Sequence, residues 1–332
     1  MDALSGQRVS GRLISGLDAI EALRSSDLIP VTTVADEFSR WPGDIPQLLK
    51  LQGSEHRRHR RAVAHPFGPA RIRVWDPMLR HMFHSGMSAM GRPNHPIELS
   101  NELVWPYIEG AFATFVGIPD PANRQHMVEL GRMSLDPGIS LSRRRLAALR
   151  LYRATRDLVT ASADGGEVQI RDAVIPTLIK SGRDLSDVIG VAMTMLSGGA
   201  TLTVSGILSC LVAAGRRPSQ RASVDELLLE CPVVDTVERR VTKGTHIGQR
   251  YLQTGEMVSV SLMPQEHTKG LPFGAGPHTC LGASWVRAVA GVFVEEITSN
   301  FEINVTNVEE RVDPPIGRGL IAVTALLHPS RM

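Results

Sequence analysis

"LPFGAGPHTCLGASW", running from Leu271 to Trp285, is the stretch on which the reading of this chain turns. Its glycines Gly274, Gly276 and Gly282 permit tight turns and a close approach of backbone to something flat or bulky. Pro277 stiffens the loop between them. Past Cys280, the residues Val286, Val289, Ala290, Phe293 and Ile297 recur at spacings of three and four, which predicts a helix opening directly out of the loop. A thiol at a helix N-terminus meets the positive end of the helix dipole, which favours the thiolate. Held in a rigid loop, such a thiolate is a good metal ligand. A cysteine that only packs needs no such surroundings, and packing is how Cys210 and Cys231 read.

Working outward, the 332 residues are 42% hydrophobic, enough to bury a large core. The balance of 36 Lys and Arg against 34 Asp and Glu gives no case for nucleic acid. Three cysteines without a CxxC pair make no disulfide framework, so a reducing cytoplasm is the expected location. The N-terminus has no apolar run suited to a signal peptide. Val188 to Gly215 is long and uncharged enough to cross a membrane. Its six serines and threonines, its five glycines and the absence of an aromatic belt instead predict the buried central helix of a globular protein, with no membrane partner.

Most of the remaining chain reads as helix. "GLDAIEALRSS" is short and amphipathic, and "SEHRRHRRAVAHPF" is expected to start with Ser54 as N-cap and stop at Pro66. "IELSNELVWPYIEGAFATFVGIP" is long and apolar, with a kink expected at Pro106. "RRRLAALRLYRATRDLVTASA" is basic and amphipathic, and "SVDELLLE" is a short helix ended by Pro232. Strand signals come late, in "RRVTKGTHIGQRYLQTGEMVSVSL" and in the pair "FEINVTNV" and "GLIAVTALLH". The fold class expected is mainly α with small β-sheets.

"FGAGPHTCLG", Phe273 to Gly282, resembles the FxxGxxxCxG cysteine loop of the cytochromes P-450, the heme-thiolate monooxygenases. Other stretches fall in the family's order. In "EHRRHRRAVAHPF" the resemblance implies that His56 and Arg60 hold a heme propionate. In the segment around "VDTVERRV" it implies the same of Arg239, and His278 occupies a further propionate position. Taken alone, His56 and Arg60 would read as part of a solvated basic face. With the family's order they become heme b contacts together with Phe273, Gly274 and Gly282, and Cys280 becomes the axial ligand of the iron. The resemblance covers residues from about 10 to the end and implies one P-450-like domain over 1–332. That domain is shortened at its N-terminus and before the cysteine loop. The central helix would cross the far face of the heme, with Gly198 and Gly199 leaving room for a substrate and Leu202 and Val234 lining its pocket.

The pattern breaks in three places. The family's Glu-x-x-Arg helix is here Glu226-Leu-Leu-Leu229, without the arginine. The arginine-bearing meander before the cysteine loop has shrunk to "MPQEHTKGLP". The acid and threonine that handle protons in the central helix align with Thr201 and Leu202, and Thr203 could substitute only if the helix bulges or shifts register. The resemblance implies an oxidoreductase acting on a small organic molecule in bacterial secondary metabolism, fed by a ferredoxin and its reductase. The weakened proton relay points alternatively to peroxide use or a non-oxygenative rearrangement. The losses near the cysteine loop point to a non-enzymatic helper of a glycosyltransferase. The oligomeric state stays open.

Overall fold

The computed structural model describes residues 12–31, 45–91, 95–136, 138–165, 170–217, 222–313 and 317–329. Strand β1 (Arg12–Ile14), helix α1 (Gly16–Arg24) and strand β2 (Leu28–Pro30) open it. Helix α2 (Gly53–Val63), a 3-10 turn at His65–Phe67, α3 (Pro69–Arg73) and α4 (Asp76–Met90) follow. After the short strand β3 (Ile97–Glu98) come a π-helical turn at Ser100–Val104 and then α5 (Trp105–Val116). Next are α6 (Pro121–Leu135), α7 (Leu141–Ala163) and α8 (Val174–Lys180).

The uncharged stretch Val188–Gly215 lies within one continuous rod from Leu185 to Gly215. It comprises α9 (Leu185–Thr194), a π-helical turn at Met195–Gly199 and α10 (Ala200–Gly215). Val188, Ala192, Leu196, Ile207, Leu208 and Leu211 are fully buried, so the rod is enclosed by protein as its composition predicts. Two glycines set its neighbours' distance. A Cβ on Gly131 of α6 would run into the Leu196 carbonyl, and one on Gly199 would lie 3.1 Å from Phe112 Cε1 of α5. The bulged turn is therefore nested between α5 and α6.

Helix α11 (Val224–Glu230) starts with a capping box, in which the Ser223 hydroxyl accepts from the Glu226 N–H and the Glu226 carboxylate accepts from the Ser223 N–H. Four strands follow: β4 (Thr236–Val241), β5 (Thr245–Ile247), β6 (Arg250–Leu252) and β7 (Met257–Ser261). A 3-10 turn at Gly276–His278 leads to α12 (Ala283–Asn300), and the long hairpin β8 (Phe301–Asp313) and β9 (Gly317–Pro329) ends the chain. One sheet runs β1-β7-β4-β2, with β1 parallel to β7 and the other pairs antiparallel. A second runs β3-β9-β8, and β5 and β6 form a hairpin.

The mainly helical class with small sheets holds, and three local expectations are corrected. Helix α2 starts one residue before Ser54, with Gln52 at the cap position and no side-chain cap bond. Pro66 lies in the 3-10 turn beyond the helix, which ends at Val63. Pro106 sits in the first turn of α5, where proline's missing N–H costs nothing, and the irregularity falls in the π-helical turn before it. Strands β1 and β2 were not expected. Each has three residues, too few for an alternating pattern, and each exists by pairing with a later strand, β1 with β7 and β2 with β4.

Candidate functional site

The cysteine loop is held by its own backbone. The Gly274 N–H donates to the Leu271 carbonyl at 2.9 Å, and the Cys280 N–H donates to the Phe273 carbonyl at 2.9 Å. Gly274 and Gly276 both have φ near +70°, the left-handed region that only glycine enters freely. At Gly276 the space is closed as well, because a Cβ would meet the Leu23 carbonyl at the end of α1. Gly282 differs: a Cβ there would make only ordinary contact with Cys280 Sγ, at 3.9 Å. Its contribution is its N–H, which acts on the sulfur and lowers the thiol pKa.

Cys280 is exposed, yet the protein around it raises its pKa above that of an ordinary thiol. Burial is the largest cause, opposed by the Gly282 N–H and the charges of Arg60 and Arg287. Such a sulfur is reachable from one direction and surrounded from the others. The expected preference for thiolate is thereby corrected: the dipole end and two cations are in place, but in the protein alone desolvation outweighs them.

Basic groups converge beside that thiol. His56 of α2 and His278 of the loop stack with ring centroids 3.9 Å apart. Burial is the first cause holding His56 below its ordinary value, followed by the charges of Arg60 and Arg57. His278 is pushed down to about 4 by burial and then by His56, Arg239 and Arg60. Arg60 is lowered by burial and raised by Cys280, and its charge acts on both histidines as well. Arg239, on β4 opposite Val258 of β7, is buried and pushed down to about 10, Glu238 only partly offsetting the desolvation. Its guanidinium donates to the Glu238 carbonyl at 2.9 Å, and the Glu238 carboxylate itself takes the Ser259 hydroxyl at 2.8 Å. His56 Nε2 is buried with no hydrogen-bond partner.

Two histidines and two arginines thus press on one another, with a buried ring nitrogen left over. Desolvating cations together is costly unless an anion joins them. The donor set fits a ligand that brings carboxylates to this corner and an atom for sulfur to bind, which is the chemistry of a heme.

The central rod supplies the other expected residues. The Thr203 hydroxyl is buried and donates to the Gly199 carbonyl at 2.7 Å, just past the π-helical turn at Met195–Gly199. The Thr201 hydroxyl is buried without a hydrogen-bond partner. Leu202 is half-buried, and Val234 packs against the core of the four-stranded sheet. A Cβ on Gly199 would lie 3.1 Å from Phe112 Cε1, and one on Gly198 would make ordinary contact with Leu135 Cδ1 at 3.8 Å.

Arg287 and Asp225 were not singled out by sequence, although Arg287 lies seven residues after Cys280. Its Nε donates to Asp225 Oδ1 at 2.7 Å, and its guanidinium carbon lies 4.4 Å from the centre of the Phe273 ring. His59 was also missed. It pairs with the buried Asp187 of α9 and accepts from Arg58 at 2.8 Å.

No protein-family profile matches the chain. Curated bacterial proteins do. Cytochrome P450 CYP105Q4 of Mycobacterium marinum is 23% identical over 320 residues, 83% of this chain and 76% of the relative. The mycinamicin VIII C21 methyl hydroxylase of Micromonospora griseorubida is 22% identical over 310 residues, 83% of this chain and 79% of its own length. Among solved structures, P450BioI in complex with an acyl carrier protein superposes with a TM-score of 0.81 at 18% identity, covering 96% of this chain and 92% of the other. MoxA from Nonomuraea recticatena gives 0.80 at 20% identity over 96% and 90%. The fold is that of the cytochromes P450, and the chain is similar in sequence to bacterial cytochromes P450. Proteins of this class are heme-thiolate oxidoreductases.

Proposed function

We propose that this chain, as one domain working in the cytoplasm, binds heme b and oxidises a small organic molecule of bacterial secondary metabolism. The observation that carries the reading is the basic cluster of His56, His278, Arg60 and Arg239 gathered beside Cys280. Cys280 would supply the sulfur that binds the iron, and the four basic groups would hold the two carboxylates. Phe273, Gly274 and Gly282 shape the loop around the sulfur. A heme ligated by thiolate provides the electron push that cleaves an O–O bond.

The chain's own residues manage protons and shape. The Thr203 hydroxyl is anchored to the Gly199 carbonyl, with its oxygen still able to accept. Thr201 holds a buried hydroxyl without a hydrogen-bond partner and is the second candidate for donating a proton. Leu202 stands between them without an acid, which supports the second reading of peroxide use or a non-oxygenative rearrangement. The helper reading is disfavoured, since a scaffold has no use for a desolvated basic cluster next to a thiol. Electrons would come from a ferredoxin and its reductase. Arg57, Arg58 and Arg61 are exposed on α2, and complementary charge speeds encounter with an acidic partner. A reduction rate that does not respond to ionic strength would argue against that partner.

The test is hemin uptake followed by reduction under carbon monoxide. Wild-type protein is expected to give the red-shifted Soret band of thiolate ligation, and Cys280→Ala to lose it. Cys210→Ala keeps it, because Cys210 is a buried packing residue whose thiol is pushed up to about 12. Colourless protein that takes up no hemin would sink the reading. Turnover with reductant and ferredoxin, set against turnover with peroxide alone, separates the two chemistries.

A further inference from the structure

The segment between Leu262 and Phe273 is too short to form the family's meander, and Leu229 stands where the family's bracing arginine would be. Glu226, the surviving member of that pair, is committed to capping α11 through Ser223 at 2.8–2.9 Å. Something else holds the cysteine loop against the helical body, and its parts are visible.

The short connection lies flush against the end of α11. The Gly270 N–H donates to the Leu229 carbonyl at 3.0 Å, and a Cβ on Gly270 would sit 2.5 Å from that oxygen and 2.6 Å from Pro232 Cγ. Only glycine permits this approach. The Leu271 N–H then closes the turn onto the Leu262 carbonyl at 2.7 Å. On the other side, Arg287 of α12 reaches in two directions. Its Nε–H binds Asp225 of α11, and its guanidinium carbon lies over the ring of Phe273, 4.4 Å from the centre. Phe273 in turn receives the Cys280 N–H on its carbonyl.

We propose that Asp225, Arg287 and Phe273 form a rebuilt brace that positions the Cys280 loop, with Arg287 as the positioning residue, in place of the lost Glu-x-x-Arg network. For its effect on metal ligation the inference rests on the heme-thiolate reading above. An arginine is required, because a planar guanidinium donates along its edge to a carboxylate while its face stacks on an aromatic ring. A lysine ammonium offers no such plane. The ion pair and the stack are each weak at a partly exposed site. They share one side chain, so ordering that side chain once serves both.

The experiment uses heme-loaded wild type, Arg287→Ala, Arg287→Lys and Asp225→Ala, with Arg156→Ala as control, since Arg156 makes an exposed pair with Asp157 on α7. The first readout is the rate at which the red-shifted carbon monoxide band converts to the shorter-wavelength band of displaced thiolate in mild urea. Arg287→Ala is expected to convert ~5–10-fold faster, the sum of two weak contacts. Arg287→Lys and Asp225→Ala should each accelerate it ~2–4-fold, losing one contact. Arg156→Ala stays at the wild-type rate. The second readout, hydrogen exchange at the Cys280 amide in heme-free protein, needs no cofactor and should rank the variants in the same order. Should Arg287→Ala fail to fold, Arg287→Lys and Asp225→Ala decide the outcome by the same two readouts. Wild-type protein without the red-shifted band overturns the heme reading, and the exchange then decides the brace alone. Wild-type behaviour of the Arg287 and Asp225 variants in either readout overturns the brace.

Discussion

His56 is a buried ring with an unpartnered nitrogen, stacked on a second histidine that is also held neutral. As pH falls through the ordinary histidine value of 6.5, the unfolded chain takes up a proton on this ring while the folded protein resists it. The ring's contribution is therefore complete above that value and is lost below it. In heme-free protein the urea midpoint should drop as the medium is acidified, and His56→Phe, which keeps a ring to stack but cannot titrate, should shrink that drop. An equal acid response in both proteins would contradict the assignment. At this scale much was legible in the sequence. Glycine spacing and the helix after the loop marked Cys280, and the family's order marked His56, Arg60, Arg239 and His278. The face-to-face contact of His56 and His278 was not legible, because it joins distant segments and no local period encodes it. The thiol's raised pKa was also hidden, since a dipole can be read from sequence and desolvation cannot.

Helix α2 is fixed to the central rod by a buried polar pair. Arginine cannot accept a hydrogen bond, so the contact from Arg58 makes His59 Nε2 the acceptor and leaves Nδ1–H to donate to Asp187. Removing one partner strands a buried group. His59→Ala should cost on the order of 3 kcal/mol in urea unfolding by leaving the Asp187 carboxylate unpaired. Replacing both residues by leucine should cost much less, within ~1 kcal/mol, because the desolvation penalty leaves with the pair. Two equally damaged proteins would mean that packing volume alone matters there. Sequence displayed His59 only as one more basic residue in a run of arginines, because its partner lies on another helix. The elements themselves were mostly readable. The long uncharged stretch became part of the central rod, "SVDELLLE" contains α11, and the two late apolar runs paired as β8 and β9. What periodicity could not supply were β1 and β2, whose three residues gain strand identity only from their partners, and the π-helical turns, of which the one at Met195–Gly199 packs closely against Gly131 and Phe112.

For the whole molecule, α12 is the member through which the cysteine loop is joined to the core. Arg80 of α4 ties down its far end through Glu295 at 2.8 Å and through Glu296. Near its start, five residues past Cys280, Trp285 is almost fully buried. It stacks on Phe115 with centroids 3.9 Å apart and meets Trp75 and Phe112 edge-on at 6.0 Å. Those rings come from the segment between α3 and α4 and from α5, so one side chain joins three parts of the chain around the loop. Trp285→Ala should cost ~3–5 kcal/mol, the range for emptying a large aromatic site in a packed core. Trp285→Phe should cost considerably less. The indole Nε1–H is buried without a partner, so phenylalanine removes an unsatisfied donor along with some packing area, and the two effects oppose. Urea unfolding of the three proteins checks this. If the phenylalanine variant lost as much stability as the alanine one, the indole N–H would have to be making a bond that this core does not contain, and the account of Trp285 as a purely apolar hub would fall.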